Sequence, residues 1–117
     1  MSGNINFDGW INDDGSENYK CRAWVNFDGT GTVAIRASGN VSSITDNGTG
    51  DYTVNFATAM PDANYSVTHA AGIKGVQWGI HLRNQATAPT SSAYRFHNVT
   101  SSDVNADVAF ICVAFFR

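Results

Sequence analysis

Two short stretches, "QWGIHLRNQ" (77–85) and "YRFHN" (94–98), hold the densest group of side chains suited to recognition chemistry. In the first, Trp78, Ile80 and Leu82 alternate with Gly79, His81 and Arg83. In the second, Tyr94, Phe96 and Asn98 alternate with Arg95, His97 and Val99. A strand sends successive side chains to opposite faces. With Trp78, Ile80 and Leu82 turned inward, His81, Arg83, Arg95 and His97 share an exposed face bordered by Asn84 and Gln85. Flat apolar rings beside planar donors and acceptors suit a sugar: the rings take the pyranose face and the polar groups its hydroxyls. The candidate ligand-binding residues are therefore Trp78, His81, Arg83, Tyr94, Arg95 and His97. Residue by residue, the polar outer face of an ordinary sheet has the same pattern.

Catalysis is poorly supplied. Glu17 is the single glutamate, and most aspartates stand beside Gly, Asn or Pro, where turns use them. No nucleophile elbow, zinc-protease helix, phosphate loop or CxxC occurs. A glycosidase needs two carboxylates roughly 5 to 10 Å apart, and only Asp51 with Asp103 or Asp107 offers such a pair. The chain is read as not an enzyme, with no cofactor and no metal. "NDDGSE" (12–17) has a fragment of a calcium-loop pattern and lacks the rest. His69, His81 and His97 fall in predicted strands without ligand spacing, and are expected at the surface or an interface.

Composition narrows the partners. The net charge is −3, only 15% of the 117 residues are charged, and the basic ones are scattered. That excludes the electrostatic footprint of a nucleic-acid binder. No apolar run approaches the roughly 20 residues of a membrane-crossing helix, so membrane insertion is not expected. The first residues carry no signal-peptide pattern. Cys21 and Cys112 each lie in a strand-like apolar stretch, where a thiol acts as a small hydrophobe. A bridge between them needs the first and last strands to be neighbours.

The elements that must position these groups are all strands. No stretch longer than a turn shows the helical apolar period, so essentially no helix is predicted. Residues 1–18 read as an extended, polar, Gly-punctuated N-terminal arm, and 19–117 as one β-sandwich domain. Asn6-Phe7-Asp8-Gly9 recurs as Asn26-Phe27-Asp28-Gly29, which reads as a duplicated edge unit or as chance similarity between turns. Strands are predicted from Tyr19 to Asp28, Thr32 to Ala37, Val41 to Thr45, Asp51 to Phe56 and Tyr94 to Thr100. Asn47-Gly48 suggests a type I′ reversal, with Gly50 allowing a bulge before Asp51. A second hairpin is expected between Asn64 to Ala71 and Val76 to Arg83. The last strand, Val104 to Phe116, is apolar on both alternating sets, so it needs cover on both sides. Either it is central within one domain, or another copy of the chain covers it.

One segment carries a resemblance. Lys20 to Thr68 is similar to a stretch recurring in bacteriophage tail-fibre and receptor-binding proteins. The phrases are Ala23-Trp24-Val25-Asn26-Phe27 with Gly29-Thr30-Gly31, then Ile44-Thr45-Asp46-Asn47-Gly48-Thr49-Gly50-Asp51-Tyr52, then Phe56 with Ala59-Met60-Pro61. From Tyr52 onward the layout more weakly resembles the H-type lectin sandwich, a family of sugar-binding trimers. The resemblance implies an all-β fold: an antiparallel sandwich of about six to eight strands, H-type-lectin-like. It also implies a virion location on a tail fibre or particle surface, a homotrimer, and a host-surface glycan as ligand. The arm, 1–18, would then meet other virion proteins. A structural virion subunit without a ligand, such as a trimerising, knob or decoration module, is the alternative.

Overall fold

The computed structural model describes residues 3–6, 9–12, 14–18, 20–72, 81–84 and 87–117. At 3–6, 9–12, 17–18, 81, 83 and 84 it describes the backbone alone. Every regular element among these residues is a strand. Two antiparallel four-stranded sheets form a sandwich. One has the order β6 (Val41–Gly48), β7 (Asp51–Phe56), β10 (Ala93–Val99), β9 (His81–Asn84). The other has the order β5 (Ala34–Gly39), β4 (Cys21–Asp28), β11 (Phe110–Phe116), β8 (Ser66–Gly72). The N-terminal segment, expected as an extended arm, instead contains a three-stranded meander of β1 (Gly3–Asn6), β2 (Gly9–Asn12) and β3 (Glu17–Asn18). Of the repeated phrase, 7–8 lie outside the described residues. Asn6 pairs with Gly9 across a hairpin, whereas Asn26 to Asp28 lie inside a long strand.

Period-2 alternation builds the core. Ala23, Val25 and Phe27 from β4 and Ile111, Val113 and Phe115 from β11 meet Tyr52, Val54 and Phe56 from β7 and Tyr94 and Phe96 from β10. Rings interlock across the gap: Phe56 meets Phe115 edge-on at 4.9 Å and Phe27 meets Tyr52 at 5.1 Å. Such contacts contribute beyond area burial, by about 0.5–1.5 kcal/mol per pair. Burial pushes the Tyr65 phenol up to about 12, while its hydroxyl donates to the Thr90 carbonyl at 2.9 Å. That hydrogen bond lets a polar tip sit in an aromatic cluster.

Asn40 turns the chain from one sheet into the other in a single residue between β5 and β6. It has φ +55, a conformation Asn tolerates better than most residues. Its amide donates to the Arg22 carbonyl at 3.1 Å and the Thr58 carbonyl at 3.0 Å, and its Oδ1 accepts from the Thr58 N–H at 2.6 Å. One side chain thus fastens three segments at the corner.

Three expectations are corrected by pairing. Of the hairpin expected between Asn64–Ala71 and 76–83, residues 76–80 lie outside the described residues; the described parts pair elsewhere, β8 with β11 along its whole length and β9 with β10 in the opposite sheet. The final strand starts at Phe110, not Val104. The segment before it turns back, with Thr100 N–H donating to the Val104 carbonyl at 2.8 Å and an isolated Val99–Asn105 bridge. The β6–β7 hairpin forms as expected, but it reverses through Thr49-Gly50 and not Asn47-Gly48. Gly48 pairs with Asp51, and the register slips between Asp46 and Gly48. The reason lies in the side chains: Asp46 Oδ1 takes the Gly48 N–H at 3.0 Å, and the Asn47 amide bonds to Thr53 Oγ1 at 2.8 Å. Asn47 thereby becomes a bulge.

Both cysteines are free and exposed. Their strands are neighbours, yet Cys112 stands opposite Asn26 and Cys21 opposite Phe116. The offset of several residues, at about 3.3 Å each, exceeds disulfide reach.

Candidate functional site

The outer face of the β6-β7-β10-β9 sheet carries a continuous row of polar side chains, and its centre is Asp51. β7 enters the ladder at Asp51 directly after the reversal. The alternation that buries Tyr52, Val54 and Phe56 turns Asp51, Thr53 and Asn55 outward. Arg95 of β10 grips the carboxylate with two parallel bonds, Nε to Oδ1 at 2.9 Å and Nη2 to Oδ2 at 2.7 Å. His97, directly opposite Asp51 in the register, places Nε2 3.1 Å from Oδ2. The Asn47 amide approaches Oδ1 at 3.5 Å. Only 8% of Asp51 is exposed, so a charge there needs these partners. The Arg95 bonds, with the charges of His97 and Arg95, hold the Asp51 carboxyl below its usual range despite burial. The same pairing raises Arg95.

An uncharged ladder continues across β6 and β7. The Asn55 amide donates to Ser43 Oγ at 3.1 Å and Thr45 Oγ1 at 2.9 Å, and Asn47 reaches Thr53 as described. These bonds fix the rotamers of short side chains, giving a flat surface of oriented donors and acceptors. Arg95 uses its Nε–Nη2 edge on Asp51, and its side chain stays 37% exposed. The Nη1 hydrogens are the donors it can still offer to a bound molecule.

The expected site residues divide as follows. Arg95 and His97 are brought together at Asp51. Arg83 stands opposite His97 and His81 opposite Val99 in the β9–β10 register, which puts both positions beside that row. Tyr94 is 5% exposed, stacking in the core on Phe96 and meeting Phe115 edge-on, so it supports the sheet from below and presents no ring to solvent. Trp78 lies outside the described residues. Sequence reasoning missed Asp51 as the organising group and weighed it only as one of a carboxylate pair. Its alternation with Thr53 and Asn55, next to the hairpin turn, was the available signal.

His69 also departs from expectation. It faces inward on β8, edge-on to Phe96 at 5.8 Å, and its Nε2 donates to Asn98 Oδ1 at 2.9 Å. Asn98 is fully buried, and its amide donates to the Ala106 carbonyl at 3.2 Å. Asp107 is equally committed: it accepts from Gly50 N–H at 2.7 Å and lies 2.7 Å from the Tyr52 hydroxyl. Burial, then this carboxylate, raises the Tyr52 phenol well above its ordinary value. Asp51 and Asp107 therefore serve opposite sides of β7. Among the described residues, no group of three or more metal-ligating side chains converges, and no helix is long and apolar enough to cross a membrane.

Comparison with protein-family models, with curated proteins and with solved structures finds no match to the chain.

Proposed function

We propose that this protein is a phage virion adhesin of the tail-fibre-tip type, a homotrimer that binds a host-surface glycan through the outer face of the β6-β7-β10-β9 sheet. The observation that carries the reading is the Asp51–Arg95–His97 cluster beside the Asn/Ser/Thr ladder. It is a rigid, planar and mostly uncharged polar surface, and neutral sugar hydroxyls are matched by such groups at low ordering cost. The resemblance of Lys20–Thr68 to tail-fibre phrases supports the proposed virion location, where residues 1–18 would meet other virion proteins. The reading assigns no catalytic role.

A glycan array probed with the labelled full chain tests it. Binding to a defined glycan set, weakened a few-fold to about tenfold by Arg83→Ala or Arg95→Ala, is the expected result, since each hydrogen bond to a neutral ligand contributes about 0.5–1.5 kcal/mol net. If the Arg83/Arg95 double variant binds host cells as the parent does, the face is only a solvated sheet. A second reading, a structural virion module for fibre trimerisation, knob or decoration, is favoured by the apolar outer face of the other sheet. Absence of any binding by the parent would give that reading the lead.

A further inference from the structure

We infer that Asn47-Gly48 is a deamidation site that the β6–β7 hairpin holds closed, and that reaction there turns a donor on the polar face into a second carboxylate beside Asp51. The inference concerns a covalent change at that face and holds whatever the face binds. Asn47-Gly48 is the one Asn-Gly step in the 117 residues. A glycine after an asparagine leaves the peptide nitrogen unshielded, since it has no Cβ. Both residues are exposed, and a Cβ at Gly48 would meet nothing within 4 Å, so water reaches the peptide between them. Gly48 has φ +134, a conformation that residues with a side chain rarely adopt. The bulge thus keeps a glycine at the position where it makes Asn47 reactive.

The reaction is internal and needs only water. The Gly48 nitrogen gives its proton to hydroxide and bonds to Asn47 Cγ; the Cγ–Nδ2 bond breaks, and that nitrogen leaves as ammonia. Water then opens the cyclic imide at either carbonyl, leaving aspartate or isoaspartate at 47. In the folded chain both reacting nitrogens are engaged. Gly48 N–H donates to Asp46 Oδ1 at 3.0 Å, so a neighbouring negative charge opposes loss of that proton. The Asn47 amide donates to Thr53 Oγ1 at 2.8 Å, which ties the leaving nitrogen to β7. Asp46 and Thr53 together form a clasp, and reaction requires it to open locally. The product conflicts with its surroundings. Asn47 Nδ2 lies 3.5 Å from Asp51 Oδ1, and a carboxylate in its place exchanges a donor for a like charge beside a residue only 8% exposed. Arg95 and His97 approach Asp51 from β10 at 2.7 and 3.1 Å. The added charge, next in sequence to Asp46, competes with Asp51 for both.

Peptide mapping by mass spectrometry tests the inference on the full chain aged in mildly alkaline buffer, beside a synthetic peptide of residues 43–53. Asn47 in the folded parent is expected to react at least about thirtyfold more slowly than in the peptide, since two hydrogen bonds must open first. Thr53→Val removes the neutral bond and is expected to speed reaction about two- to tenfold. Asp46→Ala removes the charged one and is expected to speed it by about tenfold or more. Asn47→Asp, which installs the product, is expected to lower the urea midpoint at neutral pH. The same change made in Asp51→Asn is expected to leave that variant's midpoint where it was. Equal rates in parent and peptide overturn the inference, and that comparison needs no variant. Variants that keep the parent's β-sheet circular dichroism yet react no faster also overturn it, since Asp46 and Thr53 would then hold nothing closed. An Asn47→Asp midpoint equal to the parent's, or a drop undiminished in Asp51→Asn, overturns the conflict with Asp51. Glycan binding enters none of these readouts, so they succeed or fail separately from the proposed function.

Discussion

Replacing Gly50 with Ala tests how the turn before Asp51 is held, and Gly31 supplies an internal control. Both glycines occupy the left-handed region, with φ +63 and +58. A Cβ at Gly31 would meet nothing within 4 Å. A Cβ at Gly50 would lie 2.6 Å from the Ala106 nitrogen and 2.7 Å from the Asn98 oxygen. These are backbone atoms, and they are bonded to each other at 2.9 Å. At Gly31 the substitution costs the left-handed penalty of about 1–2 kcal/mol, partly offset by about 0.4–1 kcal/mol from the stiffer unfolded chain. A net loss of about 1 kcal/mol is expected. At Gly50 the same terms apply, but the clash must also part the Ala106–Asn98 bond and disturb the 2.7 Å bond from Asn98 N–H to the Gly50 carbonyl. Leaving such groups unpaired costs about 1–3 kcal/mol each. The expected loss is about 3–5 kcal/mol. Urea unfolding of the two variants at constant m measures the difference. If Gly50→Ala and Gly31→Ala lower stability equally, the contact argument is refuted and only backbone conformation matters.

Asp51→Asn should lose stability at neutral pH. Because the folded Asp51 carboxyl is held below its unfolded value, chiefly by Arg95, its contribution is complete above about pH 4 and is lost as pH falls through the folded value. The gap between parent and variant in urea melts should therefore close on acidification, and a gap constant down to pH 2 would contradict the pairing. Asn40→Ala removes three hydrogen bonds and a residue tolerant of positive φ; a loss of about 2–4 kcal/mol is expected, against less than about 0.5 for the exposed Ser38→Ala. Asp62→Asn weakens the clasp in which Arg117 bonds both its oxygens, at 3.1 and 2.9 Å. Faster amide exchange confined to the β11 C-terminal end would be its signature, and uniform exchange across the sandwich would argue against it.

Much of the sandwich was legible because alternation depends on local sequence. Ala23, Val25 and Phe27, and Tyr52, Val54 and Phe56, declare their buried face without any knowledge of partners. Pairing was less legible. Ser66–Gly72 and His81–Asn84 look like hairpin arms, but each finds a longer-range partner in a different sheet, and tertiary contact decides pairing that local pattern leaves open. The turn was displaced because Asp46 and Asn47 spend their side chains on the backbone and on Thr53, an outcome that turn dipeptide statistics do not contain. At the polar face, Arg95 and His97 were legible by type and spacing. Asp51 was not, since its role depends on β10 lying beside β7. Tyr94 was legible as an aromatic residue but not as a core one, for it alternates with Arg95 on the strand that separates the two faces.

The two outer faces make opposite demands, and the sandwich satisfies them with one strand pattern. The face built on β11 exposes Trp24, Phe110 and Phe116 and the face built on β7 and β10 is polar, so in the proposed homotrimer assembly through the first would leave the second exposed on every copy. Under the proposed function such a face would bind a sugar through a few hydrogen bonds, each worth about 0.5–1.5 kcal/mol net, and a single site would accordingly be weak. Three sites held at fixed separation on one particle raise the effective affinity by about 10²–10⁴ when the ligands are dense enough to be reached together. Under the proposed function, recognition of a host surface thus depends on the hydrophobic face as much as on Arg95. The consequence is measurable: Cys112→Arg should leave binding of free glycan unchanged while sharply reducing retention on cells. Equal reduction in both would mean that the two faces are not separable.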